Sequence, residues 1–423
     1  MAEVRPLKSI RYNPARLDLS KAICPPYDVI SPKREQELLD SSAYNYIRVE
    51  FPKAEPGDDE KNNKYLRAAS ALEKWLDEGV LLSENEPIFY LHEHYFTFAG
   101  VTHCRRGLFA RVRLQPWEKM VVRPHENTLA GPKADRVNLL WALEADTSPV
   151  FGLYQDPAKT IEKTLESVAV KKPSLEFAGE PGESHKAWLI KDSGTIKAIE
   201  AAFADKALYI ADGHHRYESA LKYCQERRAC SPELDDEAPL NFVLMALVDF
   251  NNAGLFILPT HRMVKGIDPA HRAGMLNALE AYFNIDRVTL EYELSDSQTI
   301  LLYGIEKGRL IKLAPKNAAA IAGLMPGGHT PFYQKLDVSL VDHVILSGVL
   351  SMNPVDEVKV AYSHSRSDVF GQVDRGEFEL AIIVNRVRPE TIKEISDVGD
   401  KMPRKSTYFY PKLPSGLVAY RLK

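Results

Sequence analysis

Short apolar runs rich in β-branched and aromatic residues alternate along this chain with longer stretches whose apolar positions fall three or four apart. The first kind reads as strands: "PIFYLHEHYF", "RRGLFARVRL", "KAWLIKD", "NFVLMALVDF", "LEYEL", "GRLIKLAP", "EVKVAYSH" and "FELAIIVNRV". The second kind reads as helices. Leu66, Ala69, Leu72, Trp75 and Leu76 fall at helical spacing, and "DPAHRAGMLNALEAYF" and "VSLVDHVILSGVL" follow the same rule. Interleaving of the two predicts an α/β (α+β) fold with several mixed sheets. Pro-Gly-charged punctuation at 51–64 and 229–239 reads as surface loops. A similar stretch at 176–186 marks a lobe boundary, giving lobes 1–175 and 176–423.

The totals narrow the class. A chain of 423 residues exceeds what one core holds, so two or three cores are expected. A net charge of −4 gives no electrostatic reason to expect nucleic acid or a membrane surface as partner; the expected partner is a small-molecule substrate. Four scattered cysteines form no Cys-x-x-Cys pair, the usage of a reducing compartment. No apolar leader and no run of 18 apolar residues stands in the sequence, so the expected location is the cytoplasm. Nothing in the sequence sets the oligomeric state.

The densest chemistry lies in "KALYIADGHHRYESALKYC", from Lys206 to Cys224. "ALYIA" suits a buried strand, and Tyr217, Ala220, Leu221 and Cys224 share one helix face. Between them, Asp212-Gly213-His214-His215-Arg216 is either an Asp-Gly turn with an N-cap or a phosphate cradle. For the cradle, a helix N-terminus presents unpaired N–H groups, Gly213 admits close backbone approach, and Arg216 offers a fork of donors. Asp212 would cap the helix or hold a metal ion.

Five further stretches carry candidate chemistry. "VVRPHENTLAGPKADR" places His125, Glu126, Lys133 and Arg136 in what reads as a loop broken by Gly131-Pro132. It is either a solvated loop or a site in which Glu126, beside His125, is a general base and Arg136 an anion contact. "ICPPYDVISP" is a stiff platform presenting Asp28, and "FILPTHRMV" sets Arg262 after a strand end. "GDKMPRKSTYFYPKLPSG" carries Lys405 and Ser406 without Walker spacing. His92 and His94 in "LHEHYF" are a metal pair or, the simpler reading, an exposed strand face.

Taken together, "PPYDVI", "HENT" with "KADR", "YIADGHHRYESA", "LPTHRMV" and "MPRKSTYFYPKL" resemble the bacterial and archaeal family called domain of unknown function 1015, across nearly the whole chain. More distantly, Gly213-His214-His215-Arg216 is similar to the Gly-x-His-Arg signature of the ParB/sulfiredoxin-like superfamily, which includes free-serine kinases. That resemblance implies a ParB/sulfiredoxin-like core with large elaborations, and Gly213, His215 and Arg216 on nucleotide phosphates. His214 stands where sulfiredoxin's reactive cysteine would fall, so thiol chemistry is not implied.

These readings converge on a nucleotide-dependent phosphotransferase using ATP or ADP and Mg²⁺ on a small hydroxylated metabolite, with free L-serine the most specific acceptor. Glu126, His125 and His214 would be catalytic. Asp212, Gly213, His215, Arg216, Arg136, Arg262, Lys405 and Ser406 would hold the nucleotide, and Asp28 the metal. The alternatives are a phosphatase acting on a compound such as phosphoserine, and a non-catalytic nucleotide or metabolite sensor.

Overall fold

A computed structural model of the chain describes residues 1–128, 130–295 and 298–423, with backbone only for Ala130 and Pro132. It is a mixed α/β protein with several sheets, as the alternating pattern implies. Two compact units divide it: Met1–Pro124, Thr128–Leu255 and Pro411–Lys423 form unit 1, and His125–Asn127 with Phe256–Tyr410 form unit 2. The division does not fall at 175/176. The strands on either side of that point belong to one sheet, so no boundary separates them.

In chain order unit 1 contains α1 (Lys64–Asp77), β1 (Phe89–Phe98), β2 (Val101–Arg113), β3 (Val122–Arg123), α2 (Ala130–Leu143), β4 (Val150–Tyr154), β5 (Leu175–Ala178), β6 (Glu183–Ile190), β7 (Leu208–Asp212), α3 (His214–Cys230) and β8 (Phe242–Asp249). The strands order as β3-β7-β4-β8-β2-β1-β6-β5, with Val4–Arg5 paired to β2. β8 reads Phe-Val-Leu-Met-Ala-Leu-Val without a polar break, and all seven residues are buried. A strand apolar on both faces belongs at the centre of a covered sheet, and β8 sits between β4 (parallel) and β2 (antiparallel). Each large apolar side chain buried there contributes about 1.5–3 kcal/mol.

Two expectations shift in unit 1. α1 buries Ala68, Leu72 and Trp75, while Leu66 is 41% exposed; the core stripe is rotated from the expected one. The charged stretch expected as a loop is helical from Ala130, because a proline in the first turn of a helix removes no intrahelical donor. Leu129, which falls in that stretch, lies outside the described residues. α2 packs against both α1 and α3.

Unit 2 contains β9 (His261–Val264), α4 (Pro269–Leu279), β10 (Phe283–Val288), β11 (Ile300–Tyr303), β12 (Leu310–Pro315), α5 (Leu340–Val349, wound as a π-helix), β13 (Val360–Ser363), α6 (Arg366–Asp374), β14 (Leu380–Ile383) and α7 (Pro389–Asp397). Its sheet orders as β10-β12-β11-β14-β9-β13, antiparallel at each pairing. Met263, Leu301, Leu310, Val369, Ala381 and Ile383 cluster beneath α6. "LEYEL" is not a strand. The strand lies earlier, at Phe283–Val288, and α4 ends at Leu279. Among the described residues no helix is long and apolar enough to cross a membrane.

Candidate functional site

β7 reads Leu-Tyr-Ile-Ala-Asp, with Leu208 through Ala211 buried between β3 and β4. Its apolar run ends where the chain must turn. Gly213 sits at φ 90°, ψ 27°, in the left-handed region where a Cβ costs about 1–2 kcal/mol. α3 begins on the next residue, His214, which is buried. Gly213 is its N-cap and supplies no capping side chain, and the first turn holds no acidic residue. The positive end of the helix dipole is therefore not neutralised from within that turn, an environment that favours an anion.

Arg216 folds back over this turn. Its Nη2 donates to Asp212 Oδ2 at 2.9 Å and its Nη1 to the Pro149 carbonyl. On the other oxygen of Asp212, Lys412 Nζ donates at 3.0 Å. A Cβ on residue 213 would lie 3.0 Å from Arg216 Nε, so the glycine is required by space as well as by φ. Burial works to raise the Asp212 pKa, but Lys412 and Arg216 outweigh it and hold the carboxyl far below its usual range. Burial likewise works against the Arg216 charge, and Asp212, Asp28, Glu50 and Tyr27 together overcome it. Asp28 stands on a short 3-10 turn, Tyr27–Val29, behind two prolines. Its carboxylate is exposed and has no hydrogen-bond or ion-pair partner among the described residues.

Arg136 is held differently from the expectation. It is 5% exposed, its Nη1 donates to the Glu50 carbonyl at 2.8 Å and its Nε to Asp135 at 3.0 Å, and its guanidinium lies 4.2 Å over the Tyr27 ring. Asp135 also accepts from Lys64 at 2.6 Å and Tyr65 at 2.8 Å. Burial opposes its charge, but Arg136 and Lys64 hold its pKa near about 2. Lys133 pairs with Glu218 at 3.2 Å. Glu50 is fully buried and accepts from Thr147 at 2.6 Å and Ser148 at 2.9 Å. Arg136, Arg216, Asp146, Thr147, Ser148 and Ser219 line a small cavity of about 20 Å³, the space one water needs. Burial pushes the Asp146 carboxyl up to about 7, against the Leu244 N–H that donates to it at 2.9 Å.

The remaining expected residues lie in unit 2. His125 is fully buried, with Nε2 3.0 Å from Thr407 Oγ1, and its carbonyl accepts from Met402 N at 2.8 Å. Glu126 Oε1 accepts from Ser406 N at 3.3 Å, and Ser406 Oγ donates to the Pro403 carbonyl at 2.5 Å. Lys405 is exposed at φ 55°. Arg262 is 1% exposed, donates to the Thr260 carbonyl at 2.6 Å and faces Asp342 at 3.7 Å. Burial raises Asp342 to about 6, Arg262 partly offsetting it. Thus the structure gathers Asp28, Arg136 and the Asp212–Arg216 turn in unit 1, and His125, Glu126, Arg262, Lys405 and Ser406 in unit 2.

Sequence reasoning passed over three contributors in unit 1. Lys412 lies inside "YPKL", a stretch noted for Lys405 instead; Glu50 and Asp146 sit in apolar surroundings that carry no motif. It also missed a cavity of about 770 Å³ in unit 2, lined by His261, His364, Arg366, Arg386 and Arg388 among others. The last three are charges that only their fold neighbourhood brings together.

The family model described as protein of unknown function (DUF1015) matches residues 4–339. Among solved structures, the chain is similar to a conserved hypothetical protein from Pyrococcus furiosus at 14% identity, covering 73% of this chain and 93% of that one, with a TM-score of 0.36. It is similar to a free serine kinase in complex with AMP at 12% identity, covering 75% and 91%, with a TM-score of 0.37. A third is SbnI with a C-terminal truncation, from Staphylococcus aureus, at 9% identity, 72% and 85% coverage and a TM-score of 0.34. No curated protein matches the chain.

Proposed function

Because the chain belongs to the DUF1015 family, whose description assigns no function, its activity has to be read from its own residues, and we propose that it is a nucleotide-dependent phosphotransferase. One observation carries the reading: a strand ending in Asp212, a left-handed Gly213 and an acid-free helix start stand together with two buried-side cations, Arg216 and Lys412. Phosphoryl transfer asks the protein mainly to seat phosphates and place charge, which is what such a turn supplies. The backbone N–H groups from Gly213 to His215 would take phosphate oxygens. Arg216 has donors engaged by Asp212 and Pro149, so its part is to fix the turn and supply charge more than to grip bidentately.

Asp28 and Asp212 differ as ligands for Mg²⁺. Asp212 is shared between two cations, whereas Asp28 offers an exposed carboxylate oxygen set, the hard donor that Mg²⁺ selects. Bound there, Mg²⁺ would neutralise phosphate charge. Glu126, beside His125, is the proposed base for the acceptor hydroxyl, and free L-serine is the proposed acceptor, from the likeness of the Gly-x-His-Arg signature.

Calorimetry of the intact chain with ATP and with ADP, each with Mg²⁺, tests the seat. Turnover with a panel of hydroxy-amino acids tests the reaction. Binding that weakens at least roughly tenfold in Arg216→Ala, and turnover that Glu126→Gln lowers without loss of binding, are expected. No binding of either nucleotide at millimolar concentration refutes the proposal. Phosphate release from phosphoserine without nucleotide would replace it with the phosphatase reading, and binding without any product with the sensor.

A further inference from the structure

β1 and β6 run antiparallel in the large sheet of unit 1, with His94 opposite His185 and His92 opposite Ala187. Strand alternation puts His92 and His94 of β1 and Glu183 and His185 of β6 on one face. The simpler reading of "LHEHYF", an exposed strand face, is wrong: the three imidazoles are at most 2% exposed. His94 Nε2 lies 2.8 Å from Glu183 Oε2, and His92 Nε2 lies 3.1 Å from His185 Nδ1. The His94 and His185 ring centres are 4.2 Å apart. One donor atom from each of His94, Glu183 and His185 lies within 4.8 Å of the other two.

We propose that His94, His185 and Glu183 bind a zinc-type divalent transition-metal ion, with His92 holding His185 from behind. Two imidazoles and one carboxylate are a donor set that Zn²⁺ takes and that Mg²⁺ and Ca²⁺, which prefer all-oxygen shells, do not. Zn–N and Zn–O bonds of about 2.0–2.2 Å set tetrahedral ligand atoms roughly 3.5 Å apart, so closing this triad asks for shifts of roughly an ångström. The His92 contact engages Nδ1 of His185, so the proposal assigns ligation to Nε2, which packs beside Gly179, the usual division between a ligating and a supporting nitrogen. Glu183, with 14% of its side chain exposed, marks the side from which the ion and a fourth, exchangeable water ligand reach the site.

Arg105 is the competitor. It is 2% exposed, its Nη1 donates to the Pro411 carbonyl at 2.6 Å, and its Nη2 lies 3.2 Å from His94 Nδ1. A donor there puts the His94 proton on Nε2, facing Glu183. Ligation through Nε2 moves that proton to Nδ1, so Arg105 must turn its Nη2 aside while keeping Pro411. Its charge also repels a dication a few ångströms away.

The test uses the intact, untagged chain, stripped with chelator, then titrated with Zn²⁺ by calorimetry and with Co²⁺ by visible absorption. One equivalent is expected, with the intense bands of four-coordinate Co²⁺. Glu183→Gln and His185→Asn should each lower affinity at least roughly 100-fold, and Arg105→Gln should raise it roughly tenfold. Circular dichroism checks folding, and Glu183→Gln, at the least buried ligand, decides if His185→Asn does not fold. No stoichiometric binding, or binding that Glu183→Gln leaves unchanged, overturns the site. Nucleotide affinity is measured alongside; it reports on the Gly213 turn and not on this cluster, so the two proposals fail separately.

Discussion

Replacing Gly213 with alanine perturbs the turn in two ways that the structure lets one size. At φ 90° an L side chain costs about 1–2 kcal/mol. The added Cβ would stand 3.0 Å from Arg216 Nε and 3.1 Å from Cζ and Nη2, where carbon needs about 3.4 Å, so the guanidinium must retreat by a few tenths of an ångström. It is not free to do so cheaply, because Pro149 and Asp212 hold both terminal nitrogens. A hydrogen bond to a charged group is worth about 1.5–3 kcal/mol, and stretching one adds about 1 kcal/mol. Gly213→Ala should therefore lose about 2–3 kcal/mol in all. The four tryptophans, Trp75, Trp117, Trp141 and Trp188, all lie in unit 1, so urea unfolding followed by their fluorescence reads this unit. Gly213→Asn separates the two parts, since asparagine tolerates the left-handed region while keeping the Cβ contact; it should lose about 1 kcal/mol less than alanine. A Gly213→Ala midpoint equal to wild type refutes the whole reasoning. Equal losses for Ala and Asn refute the backbone half.

The other predictions address charge and packing. Asp146 has a folded pKa of about 7, above the unfolded value of about 4, so the folded state binds the extra proton and loses about 1.4 kcal/mol per pH unit as pH rises between them. Asp146→Asn, measured by urea unfolding at pH 5 and pH 8, should flatten that slope and be the more stable protein at pH 8; parallel profiles would count against it. Asp28→Asn should cut nucleotide-dependent turnover at least roughly tenfold while leaving the unfolding midpoint within about 0.5 kcal/mol of wild type, because the carboxylate is exposed and makes no internal bond. Gly254→Ala would push a Cβ to 2.5 Å from the Arg105 backbone nitrogen and into the Cys104 carbonyl, so it should cost more than about 3 kcal/mol. Gly274→Ala, in α4 with nothing within 4 Å, should gain about 0.5–1 kcal/mol. The same sign in thermal unfolding of both would contradict the packing argument.

Strands whose residues follow the rule of burial were legible before any coordinates. β8 is an unbroken apolar run, and the Asp-Gly break after β7 marks the turn because few residues other than glycine take φ near 90°. β10 was hidden because "FNIDRV" buries Phe283 and exposes much of the rest, leaving no apolar stripe to find. α2 was hidden by Gly131 and Pro132, which break helices in their interior and not in their first turn. Sites assembled across the sheet were the least visible. His92 and His94 alternate with Glu93 and look like a wet face until β6 supplies His185, 91 residues after His94, and the face proves to be covered. Arg136 and Arg262 were found as cations, but not as buried ones, because burial depends on Glu50 and Asp342, partners that no local pattern names.

Lys412 follows Asp212 by 200 residues, with most of unit 2 threaded between them. At a synthesis rate of about 5–20 residues per second, the nascent chain holds Asp212 and Arg216 for roughly 10–40 s before Lys412 exists. Over that interval the turn after β7 is a two-member ion pair lacking its second cation, and Arg105 has no Pro411 carbonyl to donate to. The segment from Pro411 thus acts as a latch: unit 1 reaches its final electrostatic state only after that segment is made, a delay between forming the Asp212–Arg216 pair and completing its charge set.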